Sequence, residues 1–225
     1  MAPTLFPDAI PSELKNSFRW VLWKLETCNG TLTKIPYMGC DIRAKSNCPA
    51  TWCMFDLACE FFESGVFDGI GFMLPIEPED IVFIDIDHCI KDSIIEPWAM
   101  NIIKKFNSYT EISQSGKGLH ILIRGKKPIK RCRKEGYPYE FYDSRRLVCL
   151  TGNLVDGHST IEPRQTELDN IFHEVFAKEL KATKEPTSKQ SPARPTNLTD
   201  AALIYKATQS KNGNCFKALF EGSTN

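Results

Sequence analysis

The run VFIDIDHC at residues 82–89 constrains the fold of this chain most. Its apolar residues alternate with Phe83, Asp85 and Asp87, and a repeat of two residues predicts a β-strand. In a strand, both aspartates share one face with Phe83, and the apolar residues between them face the other way. Burying carboxylates costs free energy unless a positive group compensates them. The strand therefore predicts a bound cation or a basic partner nearby.

The composition is that of a globular protein. The chain has 225 residues, of which 42% are hydrophobic and 25% are charged, enough for one substantial core and a small appendage. No apolar run approaches the roughly 18 to 20 residues that span a bilayer. Residues 1–10 also lack the basic start and apolar stretch of a secretory signal. We therefore expect a cytoplasmic protein with no membrane partner.

The nine cysteines are predicted to be reduced thiols. Their number is odd, they form no CxxC pair, and no export signal accompanies them. A zinc site built from Cys40, Cys48, Cys53 and Cys59 is the alternative, although these spacings match no common structural zinc pattern.

The formal net charge is zero, but the charge is unevenly distributed. Between residues 124 and 146 three acidic residues face nine basic ones, namely Arg124, Lys126, Lys127, Lys130, Arg131, Arg133, Lys134, Arg145 and Arg146. A basic segment beside an acidic strand is typical of a site that handles phosphates with a bound metal. A solvated lysine-rich loop is the alternative.

Periodicity predicts an α+β protein with a largely antiparallel sheet. The predicted strands are 20–25, 69–74, 82–89, 109–113, 119–124, 139–143 and 147–152. The predicted helices are one capped by Thr51 and ended by Gly65, one over Pro97 to Phe106, and one that carries Leu168, Ile171, Phe172, Val175, Phe176 and Leu180.

Composition also predicts three segments. Residues 1–181 form the main domain, and the polar, proline-containing residues 182–197 form a linker. Residues 198–225 show two short amphipathic helix patterns, which cannot bury a core alone. They are interpreted as the start of a helical accessory module.

A second candidate element is the loop SQSGKGLH at residues 113–120. Its glycines, Gly116 and Gly118, allow a tight turn with exposed N–H groups, and its hydroxyl and ammonium groups add donors. The donors come from Ser113, Ser115 and Lys117, and His120 begins the next strand. The pattern predicts a triphosphate cradle, although it lacks the spacing of a Walker A loop. A polar hairpin turn is the alternative.

A third element is the aromatic strand YEFYD at residues 139–143. Glu140 would complete a set of three carboxylates with the two aspartates, and Asp143 is the fallback ligand. Arg146 could pair with a phosphate. Carboxylate oxygens suit Mg²⁺ or Mn²⁺, and two such ions can clamp a phosphoryl group.

The order of these motifs resembles that of the primase-polymerase domain of phage and plasmid replication proteins, in the archaeo-eukaryotic primase superfamily. The resemblance extends through RWVLWKLE, TKIPY, ATW, FDGIGF, NSYTEIS and LVCLTGN, and so covers about residues 10–165. It implies an RRM-like antiparallel module joined to a smaller α/β module, with the active site in the cleft between them.

The resemblance also implies roles for individual residues. Asp85, Asp87 and Glu140 match the carboxylates that hold two divalent ions, Mg²⁺ or Mn²⁺, and these three act in catalysis together with His120. The triphosphate-binding residues implied are Ser113, Ser115, Gly116, Lys117, Gly118, His120 and Arg146. The implied partners are a single-stranded DNA template, a primer or initiating nucleotide, dNTPs or NTPs, and a helicase.

One position departs from the family pattern. Leu147 follows the arginine of the third motif, where many relatives have an aromatic residue. Because such a ring could exclude a 2′-hydroxyl, we expect relaxed sugar selection. Two other functions remain open: a catalytically idle nucleic-acid-binding module and a two-metal nuclease. A rolling-circle nicking enzyme is disfavoured because the four histidines form no HxH pair.

Overall fold

The computed structural model describes residues 4–39, 42–184, 204–205 and 208–209. Within these ranges the strands are β1 (Trp20–Cys28), β2 (Thr31–Gly39), β3 (Ile42–Arg43), β4 (Gly69–Met73), β5 (Ile81–Ile86), β6 (Ile90–Lys91), β7 (Ile94–Ile95), β8 (Thr110–Ile112), β9 (Leu119–Arg124), β10 (Tyr139–Tyr142), β11 (Leu147–Cys149) and β12 (Glu162–Pro163). The α-helices there are α1 (Ser12–Lys15), α2 (Phe55–Glu63), α3 (Pro97–Phe106), α4 (Gln165–Val175) and α5 (Ala177–Lys184). The α+β class and the antiparallel pairing are thus confirmed.

Two larger sheets form within the described part of the chain. The first, sheet A, has the strand order β11-β4-β1-β2-β3, and every pairing in it is antiparallel. The second, sheet B, has the order β10-β5-β9-β12, and β8 also pairs with β9. The pairing of β12 with β9 is the parallel one. The strands that carry Asp85, His120 and Glu140 all belong to sheet B, whereas β11, within the predicted strand 147–152, belongs to sheet A.

The long hairpin of β1 and β2 was not predicted from the sequence. Its turn is Asn29-Gly30, and both residues have positive φ, 50° and 78°. Two positive φ values are the requirement of a type I′ turn, and its twist matches that of the flanking strands. Cys28 pairs with Thr31 directly beside the turn.

Sheet B has two different apolar faces. Val82, Ile84 and Ile86 of β5 lie in the large core that α3 and α4 cover. Phe83 faces the other way, into a core that also contains Trp20 and Phe72 of sheet A. The alternation predicted for this strand is therefore confirmed.

The helix predictions need two corrections. Helix α2 begins at Phe55 after Met54, and Thr51 lies instead in a 3₁₀ turn, where its hydroxyl donates to the Cys48 carbonyl. The helix predicted over Leu168 to Leu180 is two helices, α4 and α5, because the backbone leaves the helical conformation at Phe176 (φ −115°, ψ 30°).

The described residues up to Lys184 form one compact unit. Helix α5 extends to Lys184, three residues into the predicted linker. The rest of that linker and nearly all of the predicted accessory module lie outside the described residues. None of the helices in the described ranges has the length and hydrophobicity needed to cross a membrane.

The described cysteines form no disulfide with one another. Burial raises the pKa of the Cys53, Cys89 and Cys149 thiols to about 11. Cys40, a member of the zinc alternative, lies outside the described residues, and so does Cys215.

Candidate active site

A row of four ionisable side chains crosses sheet B. Glu140 of β10 pairs with Asp85 of β5, Asp85 pairs with His120 of β9, and His120 pairs with Glu111 of β8. Directly paired residues project from the same face of a sheet. The four side chains therefore form one line on the face that Phe83 also occupies. Three of them were predicted from the sequence, and Glu111 was not.

Asp85 lies in the middle of this row, between Glu140 and His120. Its side chain is 28% exposed. Burial raises the pKa of the Asp85 carboxyl, and the nearby charges of Asp87 and Glu140 raise it further, while His120 and Lys34 act in the opposite direction. A bound cation would favour the ionised form. The donor set, oxygen atoms from three neighbouring carboxylates, is the set that Mg²⁺ and Mn²⁺ prefer.

The other two carboxylates lie at the edges of this region. Asp87 follows the end of β5, is exposed, and donates its backbone N–H to the Pro138 carbonyl. Glu140 accepts a hydrogen bond from the Tyr142 hydroxyl, and Arg133 lies 3.6 Å from its other oxygen. Among the described residues no three His, Cys, Asp or Glu side chains are already arranged as a metal site. The assignment of three metal ligands stays a prediction.

Asp85 and His120 open onto a cavity of about 770 Å³ that residues of both sheets line. Its lining comprises Leu32, Thr33, Lys34, Pro36, Ala44, Lys45, Ser46, Asn47, Met73, Phe83, Asp85, His120, Tyr142, Arg145, Arg146, Leu147, Val148 and Cys149. Basic side chains thus lie in the same cavity as an acidic one. This cavity, which we call the main cavity, has the charge pattern that a metal-bound anion requires.

Two arginines of the main cavity are held in different ways. The Arg146 guanidinium lies over the Tyr142 ring, 4.4 Å from its centroid, in a cation–π contact. Arg145 has φ +51° and donates to the Ile76 carbonyl and, at 2.6 Å, to Glu77. Arg145 is thus engaged with Glu77, and phosphate binding by Arg146 stays a prediction.

The loop at residues 113–118 is a hairpin turn between β8 and β9. Ser113 accepts a hydrogen bond from the Gly118 N–H at 3.1 Å, and Ser115 accepts one from the Lys117 N–H at 3.2 Å. Gly116 takes a positive φ of 69°. The two serine hydroxyls thus stabilise the turn itself, so the polar-turn interpretation describes its structure, and phosphate binding would be an additional role.

This loop lines a second cavity of about 500 Å³, which also contains Trp23 and Asn153. Ser113, Ser115 and Gly116 face this second cavity, and Lys34 borders both cavities. Asp87, Glu140, Lys117 and Gly118 line neither cavity. The structure therefore brings Asp85, His120 and Arg146 together, and it places the serines next to them across Lys34.

Lys34 is a candidate that the sequence analysis did not single out. It lies on β2, its ammonium is 5.0 Å from the Trp23 ring centroid, and its charge lowers the pKa of the Asp85 carboxyl. Its signal was the TKIPY segment, where a lysine follows an Asn-Gly turn in an alternating pattern. Recognising the hairpin would have placed it beside the first sheet.

The basic segment is less available than its composition indicates. The Lys127 side chain is only 2% exposed and lies 3.3 Å from Asp143. Arg124 pairs with Glu13 and Asp80, and Lys134 donates to a carbonyl of α4. These side chains stabilise the fold, and Asp143, the fallback metal ligand, is engaged with Lys127.

Comparison with known proteins adds one match. No family model matches the chain. It is 35% identical over 194 residues to the DNA primase-polymerase of Nitratiruptor phage NrS-1, and the alignment covers 83% of this chain and 25% of the phage protein. The chain thus spans about a quarter of the length of the curated relative it matches. The resemblance to a primase-polymerase domain that the motifs indicate is thereby confirmed.

Proposed function

We propose that this domain catalyses template-directed nucleotidyl transfer as a DNA primase, a DNA polymerase or both. The observation that supports this most is the row of Glu140, Asp85 and His120, of which Asp85 and His120 open onto a cavity with Lys34 and Arg146 on its wall. Carboxylates beside cations match a nucleoside triphosphate with its metal ions. The matched phage protein is named for this activity.

Two divalent ions would be held by Asp85, Asp87 and Glu140. When bound, such ions favour attack of a 3′-hydroxyl on the α-phosphorus and offset the charge of the leaving pyrophosphate. Burial raises the pKa of the Asp85 carboxyl, and the charges of Asp87 and Glu140 raise it further. This supports the assignment, because a bound cation would offset the cost of ionising Asp85 there.

Two cations of this chain and the imidazole of His120 would hold the triphosphate. His120 directs Nε2 towards Asp85 at 3.9 Å, Arg146 is fixed by its stack on Tyr142, and Lys34 borders the cavity from β2. Preorganised positive groups stabilise charge that develops on a leaving group without reorganising at that moment. The serine loop lies within the neighbouring cavity, where it would contact the same substrate from the other side.

The two sheets fit the architecture that the resemblance implies. Sheet B, with α3 and α4 on one face, would be the RRM-like module, and sheet A with α2 the smaller one. The main cavity, lined by both sheets, would be the active-site cleft. Template DNA would contact exposed basic residues outside the cleft, such as Lys130 and Arg131.

Primer extension tests the proposal directly. A 5′-labelled primer on a single-stranded template is incubated with dNTPs or NTPs and Mg²⁺ or Mn²⁺, and a reaction without primer tests initiation. We expect extension by the wild type and its loss in Asp85→Asn. The matched control is Asp56→Asn, which removes an exposed helix carboxylate and should extend normally.

The two alternative functions, a nuclease and an idle binding module, give different outcomes in the same reaction. Shortening of the labelled strand without nucleotide would indicate a nuclease. Template binding without extension or degradation would indicate an idle binding module. Metal binding is measured separately by thermal unfolding, because a ligand of the native state raises the unfolding midpoint. Mn²⁺ should raise the midpoint of the wild type and of Asp56→Asn more than that of Asp85→Asn.

A further inference from the structure

Glu111 is a completely buried carboxylate outside the sequence-predicted set. Its oxygens accept hydrogen bonds from the Tyr109 hydroxyl at 2.7 Å, from the Thr151 N–H at 3.1 Å and from the Gly152 N–H at 2.8 Å. The fourth partner is His120, whose Nδ1 lies 2.8 Å from Oε1. A buried charge with so many donors is a positioned group, since each donor offsets its desolvation.

The contact between Glu111 and His120 indicates which ring nitrogen of His120 carries a proton. A carboxylate has no proton to donate, so the short contact requires a proton on Nδ1. Nε2, on the opposite side of the ring, then points to Asp85 and the main cavity. The ring also packs against Phe83, with centroids 5.0 Å apart. Both the orientation and the tautomer of the imidazole are thereby fixed.

Glu111 is itself held by the segment after β11. The Thr151 hydroxyl donates to the Ile112 carbonyl at 2.8 Å, and the Ile112 N–H donates to the Asn153 carbonyl at 2.8 Å. The stretches TEIS and LTGN, which are forty residues apart in the chain, therefore form one hydrogen-bonded unit. Backbone N–H groups of a second segment therefore hold the Glu111 carboxylate in place, and it would stay there if the His120 ring rotated.

We propose that Glu111 is the positioning residue of this site. It holds a proton on Nδ1 of His120 and presents Nε2 to the substrate in the main cavity. The claim that Nε2 faces a substrate rests on the proposed function, whereas the claim that Nδ1 carries a proton does not. Glu111 touches neither cavity itself, so its effect on the reaction passes through His120.

The proton position is measured by ¹⁵N–¹H correlation spectra of the histidine rings in the free protein at pH 8.5. The His120 signals are assigned by their loss in His120→Gln. We expect a protonated Nδ1 in the wild type. In Glu111→Gln, the amide oxygen can keep the backbone N–H donors, and its NH₂ group then faces Nδ1 and moves the ring proton to Nε2. A wild-type spectrum with a bare Nδ1 would overturn the proposal, whether or not the variant folds.

Kinetics separates positioning from general stabilisation. We expect Glu111→Gln to lower kcat/KM for nucleotide incorporation about 10- to 100-fold, as loss of a supporting partner commonly does. Because Glu111 acts through His120, the double variant with His120→Gln should be no slower than His120→Gln alone. Multiplication of the two effects would refute the coupling.

Tyr109→Phe is the matched control. It removes one donor to Glu111 on the side away from His120, so it should reduce stability without changing the ring spectrum. If the wild type showed no extension at all, the proposed function would fail, while the spectra would still decide the role of Glu111.

Discussion

Replacement of Gly118 by alanine tests the packing at the C-terminal end of β5, where Asp87 follows the strand. A Cβ atom at this position would lie 2.7 Å from the Ile86 carbonyl oxygen, 3.1 Å from the Ser113 hydroxyl and 3.7 Å from the Asp87 Cα. The nearest obstacle is backbone, so a side-chain rotation cannot relieve it. The Ile86 carbonyl must move, and Asp87 is the next residue in the chain.

The displacement gives the expected magnitude. A normal carbon–oxygen contact requires the carbonyl to withdraw by about 0.5 Å, and a misplacement of about 1 Å can cost on the order of a hundredfold in rate. We therefore expect Gly118→Ala to lower kcat/KM for extension roughly tenfold. Overpacking should also reduce the free energy of unfolding by about 1 to 3 kcal/mol.

Gly157 provides a control in another loop. A Cβ there would meet nothing within 4 Å, but φ is +80°, and alanine in this region costs about 1 to 2 kcal/mol. Both variants should show a similar decrease in stability in urea titrations, and only Gly118→Ala should be impaired in extension on a primed single-stranded template. Equal extension by the two folded variants would refute the idea that Gly118 protects the position of Asp87.

Three further predictions concern charge and selectivity. Because burial raises the pKa of Asp85 above its unfolded value, the stabilising contribution of this carboxyl is present at low pH and disappears as pH rises. In metal-free urea titrations, Asp85→Asn should therefore be more stable than the wild type at pH 8, and the difference in stability should shrink towards pH 4.5. A difference that grows on acidification would contradict this reasoning. Joint replacement of Lys130 and Arg131 by alanine should weaken single-stranded DNA binding and reduce its salt dependence, with a slope change of about 0.7 for each phosphate that is no longer neutralised. Lys127→Ala, which removes the lysine partner of the partly buried Asp143, should instead cost about 1 to 3 kcal/mol of stability. A reversed pattern in filter binding and unfolding would count against the assignment. The wild type should incorporate dNTPs and NTPs with similar efficiency and Leu147→Tyr should favour dNTPs, so a strong dNTP preference of the wild type in single-nucleotide incorporation would contradict the role of this position.

Strands with strong local patterns could be predicted from the sequence. β9 and α3 have the predicted bounds, Leu119–Arg124 and Pro97–Phe106, because a run of alternating or helical apolar residues was bounded by glycine or proline. β2 was missed because its residues at the hairpin end are exposed, so alternation is weak there. The Asn29-Gly30 pair was the available signal.

The site was only partly predictable for a related reason. Asp85 was found because a carboxylate stood in an apolar strand, and the same argument applied to Glu111 in TEIS would have found the fourth member of the row. Which strands are neighbours could not be inferred from spacing, because pairing depends on contacts between distant segments. For the same reason, the sequence did not indicate that the serine loop and Arg146 line two different cavities.

The row across sheet B has a consequence for folding fidelity. Asp85 lies between Glu140 and His120 only when β5 is in its observed register with both neighbouring strands. A slip of β5 by one residue would turn Asp85 towards α3 and α4 and would move Val82, Ile84 and Ile86 out of the larger core to the opposite face. Such a chain would bury an unpaired charge in the larger core and would be unstable. The residues proposed to bind metal thereby also discriminate against misaligned sheets, so a chain that folds stably has already brought Asp85 next to His120.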